Sequence, residues 1–101
     1  MTYILQMDFA MDGPFGEEMA EGFAGMAESI NEEKGFLWKV WTENPDTQEA
    51  GGIYAFETKE AAEAYLEKHS ARLEEFGVTS IRSKLFRMNE TLTKINYGTA
   101  E

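Results

Sequence analysis

Apolar and polar residues alternate from Tyr3 to Ala10, with Tyr3, Leu5, Met7 and Phe9 on one face and Ile4, Gln6, Asp8 and Ala10 on the other. Period two over this length predicts a strand whose first face lies on a core. Asp12-Gly13-Pro14 breaks the pattern. Pro14 suits the first turn of a helix, where it has no N–H bond to lose. Phe15, Met19, Phe23, Met26 and Ile30 then recur at helical spacing and predict one amphipathic stripe. Gly35 suits a left-handed cap at the end of that helix.

Phe36 to Glu43 is aromatic and β-branched, as strands prefer. Strict alternation puts Phe36, Trp38 and Val40 on one face and Leu37, Lys39, Trp41 and Glu43 on the other. Asn44-Pro45-Asp46 reads as a turn. Gln48 to Glu57 resumes the strand pattern, and the two segments predict a hairpin. Gly51-Gly52 within it predicts a bulge or a close backbone approach. Thr58 is a fair N-cap for a second helix. Its buried stripe would be Ala62, Tyr65, Leu66, His69, Leu73 and Phe76, with Gly77 at its end. Val78 to Asn89 predicts a last strand that slips near Ser83, by a bulge or an edge position. Glu90 to Glu101 is a polar tail with room for a short helical turn.

The order β-α-β-β-α-β predicts an α+β ferredoxin-like fold with a four-stranded antiparallel sheet. Both helices then lie on one face of the sheet. Apolar residues on both faces of the second strand predict that the other face is covered, most simply by a second copy.

The chain has 101 residues, which suits a single domain spanning 1–101. Its formal charge of −10 would repel nucleic acid and anionic membrane, so neither is expected as a partner. There is no cysteine, so disulfides and thiolate metal sites are excluded. The N-terminus carries no leader pattern and no segment is long enough to span a bilayer, so a cytoplasmic protein is expected.

His69 is the one histidine. It reads either as a core imidazole with one satisfied hydrogen bond or as a base or donor facing a cavity. A lone histidine does not build a typical zinc or iron site, and no metal is expected. Phe9, Trp38, Trp41, Tyr54, Phe56 and Tyr65 read singly as core or interface packing. Together they would line an apolar pocket with a few polar tips. Asp8 and Gln6 lie on the other face of the first strand, as solvated or interface residues. There is no phosphate loop, dinucleotide fingerprint or nucleophile elbow, and no cofactor is demanded.

Several segments resemble the YdhR-like monooxygenase family. They are Gly13-Pro14-Phe15-Gly16, Glu28-Ser29-Ile30-Asn31, Gly35-Phe36-Leu37-Trp38-Lys39-Val40-Trp41-Thr42-Glu43, Glu49-Ala50-Gly51-Gly52-Ile53-Tyr54 and Ala64-Tyr65-Leu66-Glu67-Lys68-His69. The resemblance runs over nearly the whole chain. It implies a homodimeric α/β barrel, the fold shared with small antibiotic-biosynthesis monooxygenases, which oxygenate polycyclic aromatics without metal or prosthetic group. By motif position it implies Trp38, Asn31 and His69 as catalytic residues. Phe9, Tyr54, Tyr65, Trp41 and Phe56 would bind a small phenolic or quinol-like substrate. In that mechanism His69 would be the base. Two other readings stay open: a dimer that binds a small ligand without turnover, and a haem-degrading relative with His69 as axial ligand.

Overall fold

A computed structural model describes residues 1–98, so the last three positions of the expected tail lie outside the described residues. The elements are β1 (Tyr3–Ala10), α1 (Gly16–Ile30), β2 (Phe36–Asn44), β3 (Glu49–Phe56), α2 (Lys59–Glu75), β4 (Arg82–Arg87) and α3 (Glu90–Ile95). The four strands form one antiparallel sheet in the order β2-β3-β1-β4. This is the expected ferredoxin-like arrangement. Among the described residues no helix is long and apolar enough to cross a membrane.

The register explains the core. Leu5 lies opposite Tyr54, Met7 opposite Gly52 and Phe9 opposite Ala50. All six face the helices, and Leu5, Met7, Phe9, Ala50 and Tyr54 are buried there with Phe56. From α2 the buried residues are Ala62, Tyr65, His69 and Leu73; from α1 they are Met19 and Ile30. Each large apolar side chain hidden in this way contributes about 2 kcal/mol. Phe76, expected on the α2 stripe, is largely exposed, because it stands past the helix end as the C-cap. Thr58 caps α2 as expected, its hydroxyl accepting from the Ala61 N–H at 3.0 Å.

Four local expectations need correction. First, α1 begins at Gly16 and not at Pro14. Its N-terminus is capped from across the fold, by Glu43 Oε1 accepting from the Gly16 N–H at 2.9 Å. Second, Gly35 has φ +77° but does not cap α1, which ends at Ile30; a Cβ there would meet Ala61 Cβ at 2.8 Å. Third, the sheet's irregularity lies in β2, between Phe36 and Trp38. It turns Phe36 to the helix side, opposite Phe56, while Trp38 stays on the open side opposite Ala55. Strict alternation had grouped those two residues. Fourth, the final strand starts four residues later than expected; its edge position, one of the two expected alternatives, is borne out, since among the described residues it pairs only with β1.

Gly51 resolves the choice between a bulge and a close approach. β3 pairs with β1 without a break, and a Cβ on Gly51 would run into the Met7 carbonyl. Backbone cannot yield as a side chain can. Gly51→Ala should therefore lose about 2 kcal/mol or more in urea denaturation. Gly25, whose Cβ would meet nothing within 4 Å in α1, is the control. Gly25→Ala should gain about 0.5–1 kcal/mol from helix propensity.

Candidate active site between the helices and the sheet

Helix α1 is rich in small residues: Ala20, Gly22, Ala24, Gly25 and Ala27. They cannot fill the space between helix and sheet. Phe23 bridges it against Trp41 of β2, with ring centroids 6.1 Å apart. Space remains on both sides of that contact. On one side an open groove of about 490 Å³ runs along α1 and the edge of β2, from Gly16 to Glu43. On the other a cavity of about 380 Å³ lies between α1, α2 and the sheet.

The second cavity holds the chemistry. Its walls include Phe9, Phe23, Met26, Trp41, Tyr54 and Leu73, and its ionisable side chains are Lys39, Tyr54 and His69. Among the described residues no carboxylate lines it, in a chain with 19 acidic residues.

His69 is 3% exposed and stacks on Tyr65 with centroids 5.1 Å apart. Arg72, three residues along α2, lies with Nη2 2.8 Å from His69 Nδ1. A guanidinium has no lone pair to offer, so Nδ1 must accept and the neutral ring carries its proton on Nε2. Burial, then the charges of Arg72 and Lys39, push the His69 pKa down to about 3. His69 is therefore a neutral ring with an N–H donor at Nε2. The base role expected for it does not suit this geometry, since its one basic nitrogen is already engaged.

Lys39 projects from the helix-facing side of β2. Its Nζ lies 3.4 Å from the centroid of the Trp41 ring and 4.5 Å from that of Tyr54. Aromatic faces attract an ammonium. Burial and the Arg72 charge work against that ammonium and bring the Lys39 pKa down to about 7. Gly52 makes the path possible: a Cβ there would stand 2.7 Å from Lys39 Cε. Burial also raises the pKa values of Tyr54 and Tyr65, so both phenols stay protonated. Among the described residues the Tyr65 hydroxyl and Arg72 Nε are buried without a hydrogen-bond partner.

The structure therefore brings Phe9, Trp41, Tyr54 and His69 together around one space. Tyr65 and Phe56 form the packing behind it, Tyr54 and Tyr65 having centroids 5.0 Å apart and Phe56 and Tyr65 5.5 Å. Trp38 and Asn31 are not part of it. They border a more open depression of about 430 Å³ at the end of α1, which shares Lys39 and Trp41 with the cavity but does not reach His69. The three residues expected to be catalytic are thus not brought together in this chain. Lys39 and Arg72 were not singled out in the sequence. The available signal was a lysine between two tryptophans on a strand, and an arginine three positions after the histidine.

The family described as "Putative mono-oxygenase ydhR" matches residues 4–99. The chain belongs to the ydhR family. No curated protein matches it. The fold of this ydhR-family chain is similar to that of a point mutant of SnoaB, described as a cofactor-independent oxygenase from Streptomyces nogalater. That likeness has a TM-score of 0.62 and 17% identity, over 87% of this chain and 93% of the other. It is also similar to a "putative antibiotic biosynthesis monooxygenase" from Deinococcus radiodurans, with a TM-score of 0.58 and 14% identity, over 88% and 93%. A protein named YJCS has a TM-score of 0.62 and 18% identity, over 87% and 98%. At these identities the likeness establishes the fold.

The depressed His69 pKa couples to stability. The unfolded chain protonates this ring near its ordinary value of 6.5, and the folded chain only near 3. Between those values the unfolded state binds more protons, so stability falls as pH drops from about 6.5 towards 3. By pH 4 this group alone should cost about 3 kcal/mol. His69→Gln keeps an acceptor for Arg72 and does not titrate. Urea midpoints measured from pH 7 to 4 should fall less steeply for that variant than for the wild type.

Proposed function

We propose that this chain is a cofactor-independent monooxygenase that takes a small phenolic or quinol-like aromatic into the cavity beside His69. The observation that carries the reading is the cavity itself. It is apolar and aromatic, it lies between helices and sheet, and its few polar groups converge on one wall. Membership of the ydhR family and the shared fold with SnoaB support the same reaction class.

The chemistry asks little of the protein. Triplet oxygen reacts slowly with closed-shell organics, but an electron-rich phenolate can supply the first electron itself. For an anthrone-like substrate, the CH₂ carbon becomes a carbonyl. One oxygen atom of O₂ goes to that carbon, and the other leaves as water with the two hydrogens. The aromatic walls exclude bulk water, and the His69 Nε2–H is the donor available to a developing oxyanion. Phe9, Trp41 and Tyr54 supply flat contact area, with Tyr65 and Phe56 holding Tyr54 in place. The proposal gives Trp38 and Asn31 no contact with substrate.

The working unit in this proposal is a homodimer. The sheet face away from α1 and α2 leaves Val40 51% and Phe86 49% exposed, with Ile4, Ile53 and Trp38 half-buried beside them. Leu92, Ile95 and Tyr97 in and after α3 are exposed as well. A second copy against that face would remove this apolar area from water. An ion cluster on the same face, Arg82 with Asp8 and Glu49, would set the rim.

Two measurements test these statements. With anthrones and hydroquinones, oxygen uptake should exceed the buffer blank, and His69→Phe should reduce it about a hundredfold through loss of one oxyanion donor. Binding without uptake across the panel would favour a ligand-binding dimer. In sedimentation at micromolar concentration the wild type should run as a dimer and Val40→Glu as a monomer; a monomeric wild type would remove the dimer from the proposal.

A further inference from the structure

The candidate base in this cavity is not the histidine. Two basic side chains line its polar wall, Lys39 from β2 and His69 from α2, with the Arg72 guanidinium held behind them at His69 Nδ1. Tyr54 supplies the polar group on the β3 side, with Tyr65 packed behind it. What α1 and β1 bring to the cavity is apolar, chiefly Phe23, Met26 and Phe9. Among the described residues Lys39 has no carboxylate partner. The acids that pair elsewhere, Glu33 with Lys68 and Asp8 and Glu49 with Arg82, engage other cations. An electropositive, acid-free cavity in a chain of net charge −10 is complementary to an anion.

We propose that the cavity takes an acidic phenol or enol and that Lys39 is the base that ionises it, remaining as the ammonium that pairs with the resulting oxyanion. The proposal rests on the cavity being the substrate site of the oxygenase reading. The step balances without any further reagent. The substrate O–H bond breaks, an N–H bond forms at Nζ, and one neutral pair becomes one ion pair. Geometry favours Lys39 on three counts. Its Nζ lies at the cavity wall, held over Trp41 and Tyr54. Gly52 opens the path its stem follows. His69 is the alternative base, but its Nδ1 is committed to Arg72, leaving a donor. The depressed Lys39 pKa supports this assignment, because an amine near neutrality is free to accept a proton that an ordinary lysine already holds. Once the anion forms, the nearby charge of Arg72 is no longer a penalty, since both cations are stabilised by a negative group between the helices and the sheet.

The test separates ionisation from oxygenation. The probe is 3-nitrophenol, whose phenol and phenolate forms absorb at different wavelengths, added without oxygen slightly above neutral pH, where the free probe is still mainly protonated and Lys39 is largely the amine. Excess wild-type protein should convert bound probe to phenolate. Lys39→Met should bind it with a phenolate fraction lower by about tenfold or more, the effect of one opposite charge in close reach. Lys39→Arg should restore phenolate binding while releasing a proton to the buffer, since a guanidinium cannot take it up. In the wild type, the ¹³Cε resonance of Lys39 should move from its amine to its ammonium position when probe is added above neutral pH. Probe bound as the phenol, the same phenolate signal in Lys39→Met, an unmoved Lys39 resonance, or no saturable binding would each overturn the proposal. The oxygenase reading fails separately. Phenolate binding without oxygen uptake on any phenol keeps Lys39 as the base of a binding site and removes the oxygenation. Uptake that survives in Lys39→Met does the reverse.

Discussion

Register along the β2-β3-β1 ladder decides which side chains meet the helices. A slip of one residue would send every side chain to the opposite face. The register holds because β3 closes on β1 at Gly51, where no side chain could pass the Met7 carbonyl. From that point outward, Ala50, Gly52, Tyr54 and Phe56 turn to the helices, and Leu5, Met7 and Phe9 join them from β1. Across the other ladder, Lys39 falls opposite Tyr54 and Trp41 opposite Gly52. The lysine is thus delivered into an aromatic layer by strand geometry alone.

The space it enters comes from an imbalance between the two helices. Helix α2 presents Tyr65, His69 and Leu73 and packs tightly. Helix α1 presents small residues over much of its length and is held by its ends and by Phe23 on Trp41. A well-packed core would close such a gap at native density. Here the gap persists beside the one histidine and a half-buried lysine. Buried charges without carboxylate partners cost stability. That cost, concentrated at one wall of one cavity, is the usual mark of a functional site.

The site also assigns roles by hydrogen-bond bookkeeping. Arginine can only donate, so the Arg72–His69 contact sets the ring tautomer and leaves histidine as a donor. Lysine, the residue whose pKa burial moves most usefully, is left to accept a proton. One wall of the cavity then holds a proton acceptor and a proton donor on different elements, β2 and α2.

Much of this was legible in the sequence. The period-two face of Tyr3, Leu5, Met7 and Phe9, the helical stripe to Ile30, the second stripe apart from Phe76 at its end, and the Thr58 cap are local patterns, and local sterics and burial enforce them. The element order then limits the topology to the ferredoxin-like sheet, because crossover connections have one hand. The aromatic load of Trp41, Tyr54 and Tyr65 pointed to a pocket for the same reason: such side chains must be buried somewhere. Tertiary structure alone decided the rest. The irregularity at Leu37 turned Phe36 away from Trp38, which no alternation pattern states, because it depends on how β2 meets its neighbour. Trp38 keeps the face that alternation gave it, opposite to Lys39 and Trp41, and Asn31 stands at the end of α1; that neither reaches the cavity of His69 is decided by where these elements dock. The engagement of His69 by Arg72, and the desolvation of Lys39, arise from distances between elements, and a pKa is set by surroundings that a linear chain does not contain.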